Sequence, residues 1–361
     1  MRVTDLDTPA LVIDVDIMDR NLQRAADYAS EHNLSLRPHT KTHKIPALAR
    51  RQIDLGAVGL TVAKSTEAEV MMRAEPAELL IAYPVVGHEK TDRIVRLADR
   101  TNVSVSLDNF TAARALSKAA SDAGVTVGVL VEIDAGLHRV GVTTGEALRQ
   151  LALEVAELPG LRLDGIAFYP GHIKRMDPVA TVSLTSVERR LREALGTFER
   201  AGLQARIVSG GSTPALFYSH LAPSMNEIRP GTYIFNDRNT VFAGACEWND
   251  CAAYILTTVA STSVADRVIL DGGSKTFSSD RTATDGFGRI LEAPEALFEK
   301  MNEEHGFVDT RGCSRKWRVG EKVRVIPNHI CVAMNLHERV YGCKGEEVVE
   351  TWEVEARGKL Q

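Results

Sequence analysis

Between about residues 11 and 235, short runs of β-branched residues alternate with amphipathic stretches of ten to twenty residues, with no low-complexity segment between them. A hydrophobic period near two that repeatedly gives way to one near 3.6 marks successive strand–helix units. The candidate strands are Ser35 to His39, Gly59 to Ala63, Leu79 to Tyr83, Val103 to Leu107, Val125 to Glu132, Leu163 to Tyr169, Ala205 to Ser209 and Glu227 to Arg229. Eight strands suit a (β/α)8 barrel, although a doubly wound sheet reads similarly. Ile17 to Glu31 carries the helical period, Ser65 to Ala74 opens with Ser65 and Glu67, and Phe110 to Ala123 follows Asn109 as an N-cap.

After about residue 245 the helical period fades and strands joined by turns take over: Ala252 to Thr262, Arg267 to Asp271, Lys322 to Ile326, Arg339 to Tyr341 and Val348 to Val354. Pro294 to Asn302 reads as the one helical exception, and glycine turns fall at Gly272-Gly273 and Gly286-Phe287-Gly288. We therefore expect an α/β barrel over residues 16–245 and a β domain built from 1–15 plus 246–361, the strand Ala10 to Asp14 completing it. The active site is expected between barrel mouth and β domain. A chain of 361 residues has room for this.

Hydrophobic content of 44% with 25% charged residues is the balance of a soluble enzyme, and a net charge of -5 argues against a nucleic-acid partner. The N-terminus lacks the apolar core of a signal peptide and no run approaches the roughly eighteen apolar residues of a membrane span, so no membrane partner and a cytoplasmic location are expected. The five cysteines are odd in number, lie in the last third and form no CxxC pair. A disulfide framework is not expected, which leaves at least one of them open to service as a metal ligand.

Barrels present their chemistry at the C-terminal ends of the strands. The first candidate strand runs into Arg37-Pro38-His39-Thr40-Lys41-Thr42-His43-Lys44. If that segment stays extended, His39, Lys41 and His43 share the face that Arg37 begins, and the row of basic groups depresses the Lys41 pKa. A neutral lysine is the form that condenses with an aldehyde. A basic loop that binds anions or faces solvent is the alternative. After the fifth strand come Glu132, Asp134, His138 and Arg139; after the sixth, Tyr169-Pro170-Gly171-His172, where Tyr169 suits the face of a flat ring and His172 a proton transfer near neutral pH. Each stretch also reads as an ordinary loop.

The seventh strand ends in Ser209-Gly210-Gly211-Ser212-Thr213-Pro214, whose glycines let backbone amides close around a phosphate. Tyr233 follows the eighth strand. In the β domain, His329 and Cys331 stand two apart after a strand and therefore on one side, an imidazole and a thiolate that suit zinc. Two ligands need water, substrate or a carboxylate to complete a site.

Together with Asp7-Thr8-Pro9, the lysine block, the Ser209–Pro214 stretch and Pro327-Asn328-His329-Ile330-Cys331 occur in an order and spacing that resembles the D-threonine aldolase and D-serine dehydratase family, over nearly the whole chain. That resemblance implies an alanine racemase-like fold, a fold type III pyridoxal phosphate barrel with a C-terminal β domain, and a homodimer. It implies that Lys41 holds pyridoxal phosphate covalently, that Gly210, Gly211, Ser212, Thr213 and Tyr233 bind its phosphate, with His39, Arg139 and Tyr169 also at the cofactor, and that His329 and Cys331 bind a divalent metal. Zinc is favoured by the thiolate, with manganese and magnesium as alternatives. Aldolases of the family typically show His-x-Asp at the metal position and dehydratases His-x-Cys, while His172 has no secure counterpart in either. The implied substrates are D-amino acids with a β-hydroxyl. The expected reaction is retro-aldol cleavage to glycine and an aldehyde, with His172 as base; the alternative is elimination to a 2-oxo acid and ammonia. A racemase and a non-catalytic pyridoxal phosphate carrier stand behind these.

Overall fold

A computed structural model describes residues 1–175, 178–282 and 284–361. The chain divides into two compact units: Met1–Gln23, Thr42–Ile45 and Thr232–Arg357 form one, and Arg24–Lys41, Pro46–Gly231 and Gly358–Gln361 the other.

The second unit is the barrel. Its strands are β2 (Ser35–Leu36), β3 (Leu60–Val62), β4 (Glu78–Ile81), β5 (Asn102–Leu107), β6 (Val127–Glu132), β7 (Leu161–Ala167), β8 (Ile207–Gly210) and β9 (Glu227–Ile228), in the order β2-β9-β8-β7-β6-β5-β4-β3. Every pairing in this sheet is parallel. The two end strands meet through a parallel bridge between His39 and Thr61, where the Thr61 amide donates to Pro38 O at 2.8 Å and the Val58 amide to Leu36 O at 2.9 Å. All eight strands read from the sequence are present. They are legible because parallel strands covered on both faces are near-continuous apolar runs, and Val127–Glu132 is buried along its whole length. Helices α2 (Pro46–Asp54), α3 (Ser65–Met71), α4 (His88–Ala98), α5 (Phe110–Ala123) and α6 (Glu146–Glu157) fill successive crossovers. Asn109 caps α5 as expected, its Oδ1 accepting the Ala112 amide at 2.9 Å.

The first unit is a nine-stranded sheet. Strand β1 (Ala10–Asp14) lies between β10 (Ala253–Ser261), antiparallel to it, and β16 (Arg339–Lys344), parallel to it. The remaining strands are β11 (Arg267–Leu270), β12 (Gly288–Ile290), β13 (Leu297–Met301), β14 (Gly306–Asp309), β15 (Lys322–Pro327) and β17 (Glu347–Glu353). One face buries Val3, Leu6, Ala10, Val12, Tyr254, Leu256 and Cys343 together.

Three readings are corrected. Pro294 to Asn302 is not a helix: Leu297–Met301 is β13, paired antiparallel with β14, and Phe298 is fully buried edge-to-face on Phe277 at 5.0 Å. Tertiary pairing overrides a weak local period here. The lysine block is not extended, because strand β2 stops at Leu36 and Thr40–Thr42 is a 3-10 helix. His39, Lys41 and His43 therefore do not form a row on one strand face. Cys331 lies not beside a strand but in the first turn of helix Ile330–Leu336, which His329 caps. Among the described residues no helix is long and apolar enough to cross a membrane.

Arg37 holds the barrel's first and last strands. Its guanidinium is 5% exposed and donates through Nε to Glu227 at 2.8 Å, with a second ion pair to Glu78. Glu227 also accepts from Ser209 Oγ at 2.5 Å. Removing one partner from such a site leaves a buried charge unpaired, so Arg37→Met is expected to lower unfolding stability by about 3–5 kcal/mol, measured by urea titration. A loss under about 1 kcal/mol shows instead that water reaches Glu227.

Candidate functional site

Lys41 sits in the 3-10 turn immediately beyond β2, with its side chain exposed. Neighbouring residues fix that turn. Thr40 is fully buried, and its hydroxyl donates to Glu67 Oε1 at 2.8 Å, while Glu67 Oε2 accepts the Ala63 amide at 3.0 Å. The Glu67 carboxylate thus ties the Lys41 turn to the β3–α3 connection. His39 is buried beside it, its Nδ1 3.4 Å from the Lys41 amide. The row of cations expected around Lys41 loses Arg37, which is engaged by Glu227 and Glu78.

At the end of β8, Gly210 and Gly211 make a cup. A Cβ at Gly210 would stand 2.2 Å from the Phe168 ring, so only glycine fits over that floor, and Gly211 has φ +85°, a left-handed conformation that favours glycine. Ser212 Oγ and Thr213 follow, both residues buried, and Ser212 Oγ has no hydrogen-bond partner among the described residues. A buried hydroxyl without a partner costs about 1–3 kcal/mol, which suits a donor held for an anion. The 3-10 helix Leu216–Leu221 comes next. Arg229, buried, braces the cup by donating to Ser209 Oγ and to Phe168 O at 2.9 Å.

The loops after β6 and β7 meet each other. The Arg139 guanidinium lies over the Tyr169 ring, 5.0 Å from its centroid. Asp134 Oδ1 accepts the amides of Gly136 at 2.9 Å and His138 at 3.0 Å, and its Oδ2 pairs with His138 Nδ1 at 2.6 Å. Burial works against that carboxylate, but these partners hold it below the usual range. A Cβ on Gly136 would lie 3.1 Å from His172, so this tied loop packs against the His172 ring. His172 Nδ1 is buried without a hydrogen-bond partner among the described residues. Burial first, then the Arg190 charge, push the His172 pKa below its ordinary value, so the imidazole is neutral near pH 7. Lys41, Tyr169, His172 and the cup thus all follow C-terminal ends of parallel strands, at one end of one barrel.

In the other unit, Tyr233 is buried within the 3-10 helix Thr232–Ile234. His329 and Cys331 stand two positions apart and each favours the charged form of the other. His329 Nδ1 is also 2.6 Å from Asp280 Oδ2, a contact that fixes the orientation of the ring. Cys331 Sγ lies 3.3 Å from Thr42 Oγ1 and 3.4 Å from Thr232 Oγ1. Burial opposes both charges, yet the pairing holds the Cys331 thiol below its usual value and lifts His329 to about 10. Among the described residues no group of three or more His, Cys, Asp or Glu side chains is poised around one ion. Sequence reading missed Glu67, Arg190 and Asp280. Glu67 carried only a helix-start signal, and nothing local linked Asp280 to a histidine 49 positions later.

Residues 13–239 match the family described as "Alanine racemase, N-terminal domain", and residues 252–343 the one described as "Putative serine dehydratase domain". The chain is 32% identical to the 3-hydroxy-D-aspartate aldolase of Paracoccus denitrificans, over 99% of this chain and 94% of that one. It is 30% identical to the D-threo-3-hydroxyaspartate dehydratase of Delftia sp. over 96% and 97% of the two chains. The crystal structure of D-threonine aldolase from Filomicrobium marinum superposes with a TM-score of 0.95 at 32% identity, covering 100% of this chain and 98% of that one. D-threo-3-hydroxyaspartate dehydratase has also been solved as a cysteine-to-alanine variant in a metal-free form and as a histidine-to-alanine variant, each with a TM-score of 0.91 at 27% identity.

The unpaired Ser212 hydroxyl makes the cup testable without turnover. Ser212→Ala is expected to leave the ligand-free protein as stable or up to about 1–3 kcal/mol more stable, and to reduce the rise in thermal midpoint that inorganic phosphate gives the parent. An equal phosphate response in the variant removes Ser212 from the anion site.

Proposed function

Because the chain belongs to the D-threonine aldolase and D-serine dehydratase family of the alanine racemase fold, we propose that it is a pyridoxal phosphate- and divalent metal-dependent lyase that cleaves D-β-hydroxy-α-amino acids to glycine and an aldehyde. The observation that carries this reading is the cup of Gly210, Gly211, Ser212 and Thr213, with its unsatisfied buried hydroxyl, on the same barrel end as Lys41. When bound, pyridoxal phosphate supplies an electron sink for the bond that breaks at the α-carbon, and the metal supplies Lewis-acid chemistry at the β-hydroxyl.

The chain's own residues do the rest. Lys41 offers the amine that anchors the cofactor aldehyde, and the cup offers amides and hydroxyls to its phosphate. Tyr169, with Arg139 over its ring, and His39 line the cofactor. Tyr233 is assigned to the phosphate, and His329 and Cys331 to the metal, zinc before manganese or magnesium on ligand softness. Asp280 sets the His329 tautomer. His172, neutral and with Nδ1 free of a hydrogen-bond partner among the described residues, takes the β-hydroxyl proton as the Cα–Cβ bond opens. The functional division we propose is a cofactor domain of residues 16–245 and a metal-bearing domain of 1–15 plus 246–361, in a cytoplasmic homodimer that takes small D-amino acids.

Elimination to a 2-oxo acid and ammonia is the second reading, with Lys41 taking the α-proton, and one observation favours it. Cys331 gives this chain the His-x-Cys of the dehydratases, and a cysteine and a histidine are the residues replaced in the solved dehydratase variants. Product analysis separates the two. With metal and cofactor supplied, D-threonine is expected to yield glycine and acetaldehyde; 2-oxobutanoate and ammonia without glycine overturn the aldolase reading.

His172 gives a sharper prediction. His172→Ala is expected to lower glycine formation by about 10²–10⁴-fold. Because the His172 pKa is displaced downward and the base acts when neutral, the acid limb of kcat/KM in the parent lies below pH 6.5. A pH–rate profile of parent and variant reads both, and an acid limb that survives in the variant assigns the base elsewhere.

A further inference from the structure

Lys44, the last residue of the lysine block, has no part in the proposed reaction. Its backbone has φ +58°, the left-handed region that a lysine rarely adopts, and the residue is only 6% exposed. Strain of this kind persists only where the surroundings hold a residue on several sides. Here they do. Lys44 Nζ donates to Asn335 Oδ1 at 2.8 Å, and Lys44 O accepts the Ala356 amide at 3.1 Å. The next amide, that of Ile45, donates to His43 Nδ1 at 3.0 Å, and His43, Ile45 and Ala356 are all buried.

Asn335 lies in helix Ile330–Leu336, four residues beyond Cys331, so the two share one face of that helix. Cys331 Sγ lies 3.3 Å from Thr42 Oγ1. Thr42–Ile45 belongs to the same compact unit as the helix. One helix face thus holds this segment at two points, Thr42 and Lys44, and Lys41 is the residue that precedes the first of them in the chain. On the N-terminal side of Lys41, the Glu67 carboxylate holds the Thr40 hydroxyl. Lys44 is buried with its Nζ engaged, whereas Lys41 is exposed. Of the two lysines, Lys44 is built as the support and Lys41 as the free end.

We propose that Lys44 is a positioning residue: its hydrogen bond to Asn335 latches the Thr42–Ile45 segment to helix Ile330–Leu336 and so fixes where the Lys41 amine stands. That this amine meets an aldehyde rests on the proposed function; the latch itself does not. Lys41 carries a long, flexible stem, and the orientation of its amine is only as well defined as the turn it leaves. Freeing that turn spreads the amine over many positions, and reaction with a bound aldehyde slows because fewer of them are productive. Removing the Asn335 oxygen also leaves a buried nitrogen short of an acceptor, which favours release of the strained backbone at Lys44.

The test compares the full-length parent with Lys44→Met, Asn335→Leu and Asn335→Asp, the last of which keeps an acceptor oxygen in place. Without added cofactor, amide hydrogen exchange at Ile45 and Ala356 is expected to quicken several-fold in Lys44→Met and Asn335→Leu and to stay at the parent's rate in Asn335→Asp. With pyridoxal phosphate added, borohydride trapping and peptide mapping give the rate at which Lys41 is labelled. That rate is expected to fall by up to about 10²-fold in Lys44→Met and Asn335→Leu, to fall no further in the double variant, and to recover in Asn335→Asp. Unchanged exchange, an Asn335→Asp protein as impaired as Asn335→Leu, labelling at the parent's rate while exchange quickens, or losses that multiply in the double variant overturn the proposal. A parent whose Lys41 takes no label fails the proposed function instead, and the exchange rates then decide the latch on their own.

Discussion

Arg37, Glu227, Ser209 and Arg229 form a continuous chain of buried polar contacts across three neighbouring strand ends of the barrel, β2, β9 and β8. A buried charge is tolerated only while its partners stay in place, so each member specifies the position of the next. Arg37 leaves β2 and meets Glu227 on β9; Glu227 reaches Ser209 on β8; and Arg229 returns to Ser209 and to the Phe168 carbonyl beyond β7. The register of the barrel's closing strands and the shape of the cup depend on the same set of contacts. A barrel end tied this way can present two glycines and a free hydroxyl without collapse onto them.

The polar groups of the barrel end are arranged at two levels. Carboxylates and guanidiniums are held by partners, as Arg37 is by Glu227, Glu67 by the Thr40 hydroxyl and Asp134 by the amides of its own loop. Among the six buried side-chain atoms without hydrogen-bond partners in the described residues are two in loops that follow barrel strands, Ser212 Oγ and His172 Nδ1. Unsatisfied buried atoms are rare because they cost stability, and here both follow barrel strand ends, where ligands bind. The His329–Cys331 pair obeys the same logic in the other unit, its ring set by Asp280 and its thiol held among Thr42 and Thr232.

Much of this was legible before the fold. All eight barrel strands read as apolar runs because a parallel strand is buried on both faces, and the Asn109 cap read correctly because it is a contact three residues long. The candidate lysine, the glycine pair and the H-x-C spacing were also visible as local patterns. The failures share a cause. Leu297–Met301 became a strand because β14 pairs with it, and the lysine turn left the strand because Glu67, 27 residues on, takes the Thr40 hydroxyl. Local periodicity carries no record of either partner.

By itself, the sequence determined the alternation of strand and helix, the order of the strands and the residue types delivered to their ends, since each depends on hydrophobic period and on neighbours a few positions apart. Only the tertiary structure decided that Arg37 belongs to Glu227 rather than to a row of cations about Lys41, and that Asp280 holds His329. Those pairings are set by which groups must share a buried position once the chain has closed, and burial is a property of the whole fold rather than of any window along it.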